Sequence, residues 1–219
     1  MAAKLILVTG GARSGKSRFA EDYVKAAAAT VVGLQPHSLA YIATAQAWDE
    51  EMRFRIGCHQ ARRGAAWYTY EAPGEQEAEA ALRQAGSVHQ AVLFDCVTLY
   101  LSNILCKCTE IELADERSLY ARAQKAVQGL IEAAGSAAKA RAVVFVTNEV
   151  GSGIVPENAL ARRYRDLAGL ANEQLASAAD AVYFCVCGQA KMHFPHTVSA
   201  FPKFSSETIN AYFSHFLSS

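Results

Sequence analysis

The sequence has no excess of charge of either sign, no long apolar run and no cysteine pair at a metal-binding spacing. Lys plus Arg and Asp plus Glu each total 21, so the formal net charge is zero. A balanced chain lacks the basic surface that nucleic acids and anionic membranes attract. No apolar stretch reaches the roughly 18 residues of a membrane span, and the N-terminus has no signal-peptide core. We therefore expect a soluble, cytoplasmic protein that binds no nucleic acid.

The six cysteines show no C-x-x-C pair, which is the commonest spacing of a structural metal site. They are Cys58, Cys96, Cys106, Cys108, Cys185 and Cys187. Cys185 and Cys187 lie in an apolar run that is typical of a strand. Free cysteines in a reducing compartment are often buried. We expect buried free thiols rather than a metal site.

The length of 219 residues and the 52% of hydrophobic residues are enough for one domain with a sizeable core. The sequence contains no internal repeat and no linker of domain-separating composition. We expect one domain over residues 1–190 and a C-terminal extension over residues 191–219 that packs on the same domain.

A glycine-rich motif near the N-terminus follows a short apolar run at residues 5–8. It fits the pattern G-x-x-x-x-G-K-[ST] with Gly10, Gly11, Ala12, Arg13, Ser14, Gly15, Lys16 and Ser17. Gly10 and Gly15 allow backbone conformations in which successive amide groups surround a phosphate. Lys16 adds a positive charge near the β- and γ-phosphates, and the hydroxyl of Ser17 can bind Mg²⁺. The pattern predicts a Walker A loop followed by a helix over residues 16–28, whose N-terminus faces the same anion.

Strand and helix patterns alternate along the rest of the chain. Short apolar runs predict strands at residues 39–44, 67–71, 91–95, 142–146 and 181–186, and helical patterns lie at 48–63, 75–85, 119–134 and 160–175. This order predicts an α/β P-loop NTPase fold of the RecA type, with a mostly parallel sheet flanked by helices on both faces. Ligands bind such sheets at the carboxyl ends of the strands, where Thr44, Asp95, Asn148 and Glu149 fall. We expect Asp95 to act as the Walker B acid and to hold the metal.

A histidine lies in the predicted helix that follows the second strand. One face of this helix carries Trp48, Met52, Ile56, His59 and Arg63. The neighbours of His59 on the helix surface are Arg55, Arg62 and Arg63. Their positive charges favour the neutral form of its imidazole. From the residues alone, His59 is open to a packing role and to a functional one.

Several stretches together resemble the bifunctional adenosylcobinamide kinase and adenosylcobinamide-phosphate guanylyltransferase family of cobalamin biosynthesis. The resemblance covers about residues 4–190. The matching stretches are residues 7–17, 41–45, 49–59, 147–158, 163–166 and 172–175. The run at 147–158, which reads TNEVGSGIVPEN, is far more distinctive than a Walker motif.

The resemblance implies two reactions. A nucleoside triphosphate, GTP or ATP, phosphorylates the aminopropanol hydroxyl of adenosylcobinamide, and GTP then donates GMP to that phosphate. In the family a histidine carries GMP as a phosphoramidate, and that position falls on His59. The family pattern also places nucleotide contacts at Ala43, Thr44, Ala45, Gln60, Ala61, Arg62, Arg63, Glu71 and Asp95, and it implies Mg²⁺ and a homotrimer.

Four features depart from the family pattern. Cys58 stands where a second histidine is common, and Asp95 stands where glutamate is common. The stretch at residues 26–38 is longer than expected, and the tail after about residue 190 is additional. Two alternatives remain open: a P-loop kinase with a single activity on a small alcohol or nucleotide, and a nucleotide-dependent switch ATPase.

Overall fold

The computed structural model describes residues 3–29, 33–47, 50, 53–54, 57, 60, 63–109, 113 and 115–193. These residues form seven strands and five regular helices. In chain order they are β1 (Lys4–Gly10), α1 (Lys16–Ala28), β2 (Leu39–Ala43), β3 (Trp67–Glu71), α2 (Glu75–Val88), β4 (Ala91–Asp95), α3 (Val97–Cys106), α4 (Glu116–Gly135), β5 (Ala142–Val146), α5 (Ala159–Ala178), β6 (Ala181–Val186) and β7 (Gln189–His193).

The strands form one sheet in the order β3-β2-β4-β5-β1-β6-β7. Strands β1 to β6 are parallel, and β7 pairs antiparallel with β6. The chain leaves β1 through α1 and enters β2 three positions away, so β4 and β5 later fill the gap between them. This is the predicted P-loop NTPase fold, and the loops that follow β1, β2, β4 and β5 meet at one edge of the sheet.

Helices cover both faces of the sheet, as predicted. One apolar layer joins α1 to Ile6 and Val8 of β1. The other layer contains helices α2, α3, α4 and α5, which pack on the opposite face of the sheet, where Leu7, Phe94 and Phe145 lie. Both layers pack against strands that are buried on both faces, which is why these strands are continuous apolar runs.

The apolar stripes predicted for the two long helices differ in outcome. The stripe on α4 is fully confirmed, since Leu119, Ala123, Val127, Leu130 and Ala134 are all buried. On α5, the later residues of the stripe are buried, but Leu160 is 45% exposed. The helix contacts the core only from Tyr164 onward, so its first turn remains at the surface.

Two elements were not predicted from the sequence, and one expectation was partly wrong. The missed elements are α3 and β7. Cys96 and Cys185 are buried free thiols, Cys108 is half-buried, and Cys106 and Cys187 are exposed. Cys187 lies in the turn after β6, at a φ of 50°, rather than in a strand.

Two sequence predictions fall mainly outside the described residues. In the predicted helix at 48–63, residues 50, 53–54, 57 and 60 are helical. Cys58 and His59 lie outside the described part, as does the tail at 194–219. Among the residues that are described, no helix has both the length and the apolar character needed to cross a bilayer.

Candidate active site

The glycine-rich loop between β1 and α1 packs backbone to backbone against the turn between β6 and β7. A Cβ on Gly10 would collide with the carbonyl oxygen of Cys185 and would lie 2.7 Å from Ser14 Oγ. Gly15 has a φ of 91°, and a Cβ there would lie 3.0 Å from Gly188 Cα. The amide of Gly188 donates a hydrogen bond of 2.9 Å to the carbonyl of Ser14. Glycine is therefore required at both ends of the loop.

Lys16 holds its ammonium group inside the loop. Its side chain is only 9% exposed, and Nζ donates a hydrogen bond of 3.0 Å to the carbonyl of Gly11. Burial lowers the pKa of Lys16, and the negative charge of the nearby Asp95 acts in the opposite direction. An ammonium group removed from water gains strongly from an anion placed beside it. The loop is thus suited to a phosphate.

A cleft of about 1080 Å³ opens at the carboxyl edge of the sheet. Its walls come from the glycine-rich loop, from the ends of β2, β3, β4 and β5, and from the segment after β2. The lining residues are Ala12, Arg13, Ser14, Gly15, Lys16, Ser17, Arg18, Tyr41, Ala43, Ala45, Phe54, Arg63, Glu71, Asp95, Cys96, Leu99, Asn148, Glu149 and Val150. The volume lies at the upper end of the range for small-molecule sites, which is enough for a nucleotide and part of a second substrate.

Most of the predicted site residues that the structure describes line this cleft. They are Ala12, Arg13, Ser14, Gly15, Lys16, Ser17, Ala43, Ala45, Arg63, Glu71 and Asp95. Gly10 and Gly11 form the start of the loop beneath it. Gln60 is exposed outside the lining. His59, Ala61 and Arg62 fall outside the described residues.

Thr44 is completely buried, and its side chain faces the backbone rather than the cleft. Its Oγ1 donates a hydrogen bond of 2.8 Å to the carbonyl of Cys96 and accepts one of 2.8 Å from the amide of Cys96. The hydroxyl therefore ties the end of β2 to the residue that follows Asp95. Thr44 stays a predicted nucleotide contact, but its hydroxyl is already engaged in these two hydrogen bonds.

Asp95, Tyr41 and Arg63 form a connected row across the end of the sheet. The hydroxyl of Tyr41 donates a hydrogen bond of 3.0 Å to Asp95 Oδ2. Burial raises the pKa of Tyr41 well above its ordinary value, so the hydroxyl keeps its proton. The guanidinium carbon of Arg63 lies 3.7 Å from the centre of the Tyr41 ring, and its Nη1 donates to Thr69 Oγ1 at 3.1 Å. This row fixes the direction of the Asp95 carboxylate.

Asn148 and Glu149 fall at a predicted strand end in the sequence, but they were not predicted as site residues. Both line the cleft. Asn148 Nδ2 donates to Thr98 Oγ1 at 2.7 Å, and its carbonyl accepts a bond of 3.1 Å from Asn172 Nδ2. Thr147 Oγ1 donates to Asn172 Oδ1 at 2.6 Å. Their place after the buried strand β5, beside the strand that carries the loop, was the signal that could have identified them.

The expected metal ligands suit Mg²⁺. Ser17 and Asp95 supply a hydroxyl and a carboxylate, which are the hard oxygen ligands that this ion prefers, and both line the cleft beside Lys16. In the described part of the chain, no group of three or more His, Cys, Asp or Glu residues could hold a metal ion. Two protein oxygens fit the usual Mg²⁺ site of a nucleotide enzyme, in which substrate phosphates and water complete the coordination.

The chain is similar to known proteins over most of its length. Residues 6–192 match the family model described as CobU: Cobinamide kinase / cobinamide phosphate guanyltransferase. The bifunctional adenosylcobalamin biosynthesis proteins CobU of Salmonella typhimurium and Escherichia coli are each 42% identical over 187 residues, which is 84% of this chain and 96% of each relative. CobP of Pseudomonas aeruginosa is 40% identical over 83% of this chain and 92% of its own length. The chain therefore belongs to the cobinamide kinase / cobinamide phosphate guanyltransferase family.

Proposed function

We propose that this protein phosphorylates adenosylcobinamide with GTP or ATP and then transfers GMP from GTP to the adenosylcobinamide phosphate. The products of the second reaction are adenosylcobinamide-GDP and pyrophosphate. One observation carries the proposal of two activities in one cleft. Phe54 and Arg63, which bracket His59 in the sequence, line the same cleft as the glycine-rich loop.

In the kinase reaction, the loop amides and Lys16 bind the β- and γ-phosphates of the nucleotide. The buried ammonium group of Lys16 stabilises the negative charge that develops on the departing nucleoside diphosphate. Positioning and electrostatics of this kind supply most of the catalysis in phosphoryl transfer. Ser17 and Asp95 would hold Mg²⁺, which would supply positive charge to the phosphate oxygens. Tyr41 keeps the Asp95 carboxylate directed along the sheet edge through its hydrogen bond.

In the transferase reaction, a neutral ring nitrogen of His59 attacks the α-phosphorus of GTP. The new P–N bond forms as the bond from the α-phosphorus to the bridging oxygen breaks, and pyrophosphate leaves. A phosphate oxygen of adenosylcobinamide phosphate then attacks the same phosphorus and releases the imidazole. Two displacements divide one difficult step into two easier ones. Arg63 lies in the cleft beside Tyr41, where its charge can stabilise the phosphoryl oxygens.

The guanine nucleotide contacts proposed for this reaction lie at Ala43, Thr44, Ala45, Gln60, Ala61, Arg62, Arg63, Glu71 and Asp95. By the same resemblance, we propose a cytoplasmic homotrimer in which residues 1–190 form the catalytic domain and the tail packs on it. The corrinoid is the second substrate, and the cleft of about 1080 Å³ would hold only part of it beside a nucleotide.

The test uses GTP labelled at the α-phosphate. The protein should acquire label that is labile to acid and stable to base, as a phosphoramidate is. His59→Ala should abolish this label and retain most of the phosphorylation of adenosylcobinamide. Arg53→Ala is the matched control, because it changes an exposed residue of the same helix that does not line the cleft, and it leaves the imidazole in place.

Three results would contradict the proposal in different ways. Label that survives His59→Ala would place the nucleophile elsewhere. Phosphorylation of adenosylcobinamide with no label in the wild type would indicate a kinase with a single activity. Nucleotide hydrolysis without labelled protein and without phosphorylated adenosylcobinamide would indicate a switch ATPase.

A further inference from the structure

Three carboxylates line the cleft at different distances from the glycine-rich loop: Glu71, Asp95 and Glu149. Strand β3, which ends at Glu71, lies four positions from β1, and β4, which ends at Asp95, lies two positions from it. At about 4.8 Å per strand, Glu71 is roughly 19 Å and Asp95 roughly 10 Å from the line of β1. The amide of Glu149 donates a hydrogen bond of 3.0 Å to the carbonyl of Gly10, the first residue of the loop. Of these three residues, Glu149 is the one whose backbone forms this hydrogen bond with the loop.

One oxygen of the Glu149 carboxylate is held in place. Oε1 accepts hydrogen bonds from the amide of Gly151 at 2.6 Å, from the amide of Ser152 at 3.2 Å and from the hydroxyl of Ser152 at 3.4 Å. A Cβ on Gly151 would lie only 3.0 Å from this oxygen, so glycine permits the close approach. Oε2 accepts no hydrogen bond from any residue that the structure describes.

Asn148, the residue before Glu149, holds the backbone of Glu149 in place. Asn148 is bound through its side chain to Thr98 and through its carbonyl to Asn172. Tyr164 donates a hydrogen bond of 3.1 Å to the carbonyl of Thr98. Side chains and backbone from α3 and α5 therefore fix the backbone from which the Glu149 side chain reaches the cleft.

The other two carboxylates are less suited to accept a proton beside the γ-phosphate. Asp95 Oδ2 already accepts the hydroxyl of Tyr41, and the residue supplies an expected metal ligand. Glu71 ends a strand at the far side of the cleft. A general base must be within hydrogen-bond reach of the proton that it takes.

We propose that Glu149 is the catalytic base of the phosphoryl transfer, an inference that depends on the proposed kinase function. Glu149 Oε2 accepts the proton of the substrate alcohol as the alcohol oxygen forms a bond to the γ-phosphorus. The bond from that phosphorus to the bridging oxygen breaks, and the nucleoside diphosphate leaves with the electron pair. Oε1 remains bound to Gly151 and Ser152 throughout, so the carboxylate does not rotate.

Glu149→Gln tests this role with little change of shape. The amide oxygen can still accept the bonds from Gly151 and Ser152, but the side chain can no longer take a proton. We expect kcat for phosphorylation of adenosylcobinamide to fall by about 10²- to 10³-fold, the usual size of a general-base contribution. The KM for the nucleotide and the α-phosphate label on the protein should be retained, because neither needs this base.

Two further measurements separate a base from a metal ligand and from a structural residue. The kinase rate of the wild type should depend on pH differently from that of Glu149→Gln, because only the wild type takes up the proton of the alcohol at this position. Glu149→Ala should regain part of its kinase rate when formate is added, since a small carboxylate can occupy the space.

Each other outcome overturns the inference. A Glu149→Gln rate within about threefold of the wild type would show that no base acts here, since a general base contributes far more. Recovery of the rate at high Mg²⁺ would identify a metal ligand, and parallel loss of nucleotide binding and label would identify a structural role. A wild type that does not phosphorylate adenosylcobinamide would refute the proposed function, and this inference with it.

Discussion

The buried hydroxyl of Thr44 offers the sharpest test of how the site is held together. Thr44→Val keeps the shape of the side chain and removes both hydrogen bonds to Cys96. The amide of Cys96 is then left buried without this partner, which costs about 1–3 kcal/mol. The carbonyl of Cys96 keeps a bond of 3.1 Å from the amide of Tyr100, so it loses only its second bond, worth about 0.5–1.5 kcal/mol.

The sum predicts that Thr44→Val lowers the free energy of unfolding by roughly 1.5 to 4.5 kcal/mol. Equilibrium unfolding in urea, without nucleotide, measures this loss as a lower midpoint with an unchanged m-value. Thr44→Ser is the control, because it keeps the hydroxyl and should lose only about 0.5–1.5 kcal/mol for the missing methyl group.

The affinity for GTP separates a structural role from a nucleotide contact. The Thr44 side chain faces away from the cleft, so Thr44→Val should change the Kd for GTP of the folded protein by less than about threefold, under 1 kcal/mol. An unfolding free energy within about 1 kcal/mol of the wild type would refute the assignment of these two hydrogen bonds. A large loss of GTP affinity with normal stability would show that the side chain of Thr44 itself contacts the nucleotide.

Two further predictions concern buried charged or titratable groups. His89 is 3% exposed, its Nδ1–H donates to the carbonyl of His37 at 2.7 Å, and its Nε2 accepts the hydroxyl of Tyr70 at 2.9 Å. Burial lowers the pKa of His89, so its contribution to stability is complete above the unfolded value of about 6.5 and is lost as the pH falls through the folded pKa. Unfolding in urea should show a smaller loss of stability on acidification in His89→Gln, and an equal loss in both proteins would contradict this. Lys16→Ala should weaken triphosphate binding and slow phosphoryl transfer, by about 10² or more in rate, and an unchanged kinase rate would rule out its role.

The central strands and the phosphate loop could be predicted from the sequence because their signals are local. Strands β1, β2, β4 and β5 are short apolar runs, and the structure places them within one or two residues of the predicted bounds. The glycine pattern needs only one strand and one helix to form its loop. The position of Asp95 at the end of β4 followed from the same local reasoning.

The two missed elements lacked such signals. Helix α3 follows β4 almost without a break, and a short apolar run does not reveal by periodicity whether it is a strand or a helix. Most residues of β7 are exposed, so its sequence shows no buried face. This strand is defined by its hydrogen bonds to β6, which only the folded chain can show.

The amino-acid sequence by itself determined the phosphate loop and the buried strands, because periodicity and glycine geometry act over a few residues. The family followed from the resemblance of longer motifs, such as the run at residues 147–158. Only the tertiary structure decided that Thr44 faces Cys96, that the turn at Gly188 supports the loop, and that Glu149 is bound to Gly10. These contacts join residues far apart in the chain. They depend on the insertion of β4 and β5 between β2 and β1 and on the pairing of β6 with the other side of β1. Strand order is a property of long-range packing, which no local pattern encodes.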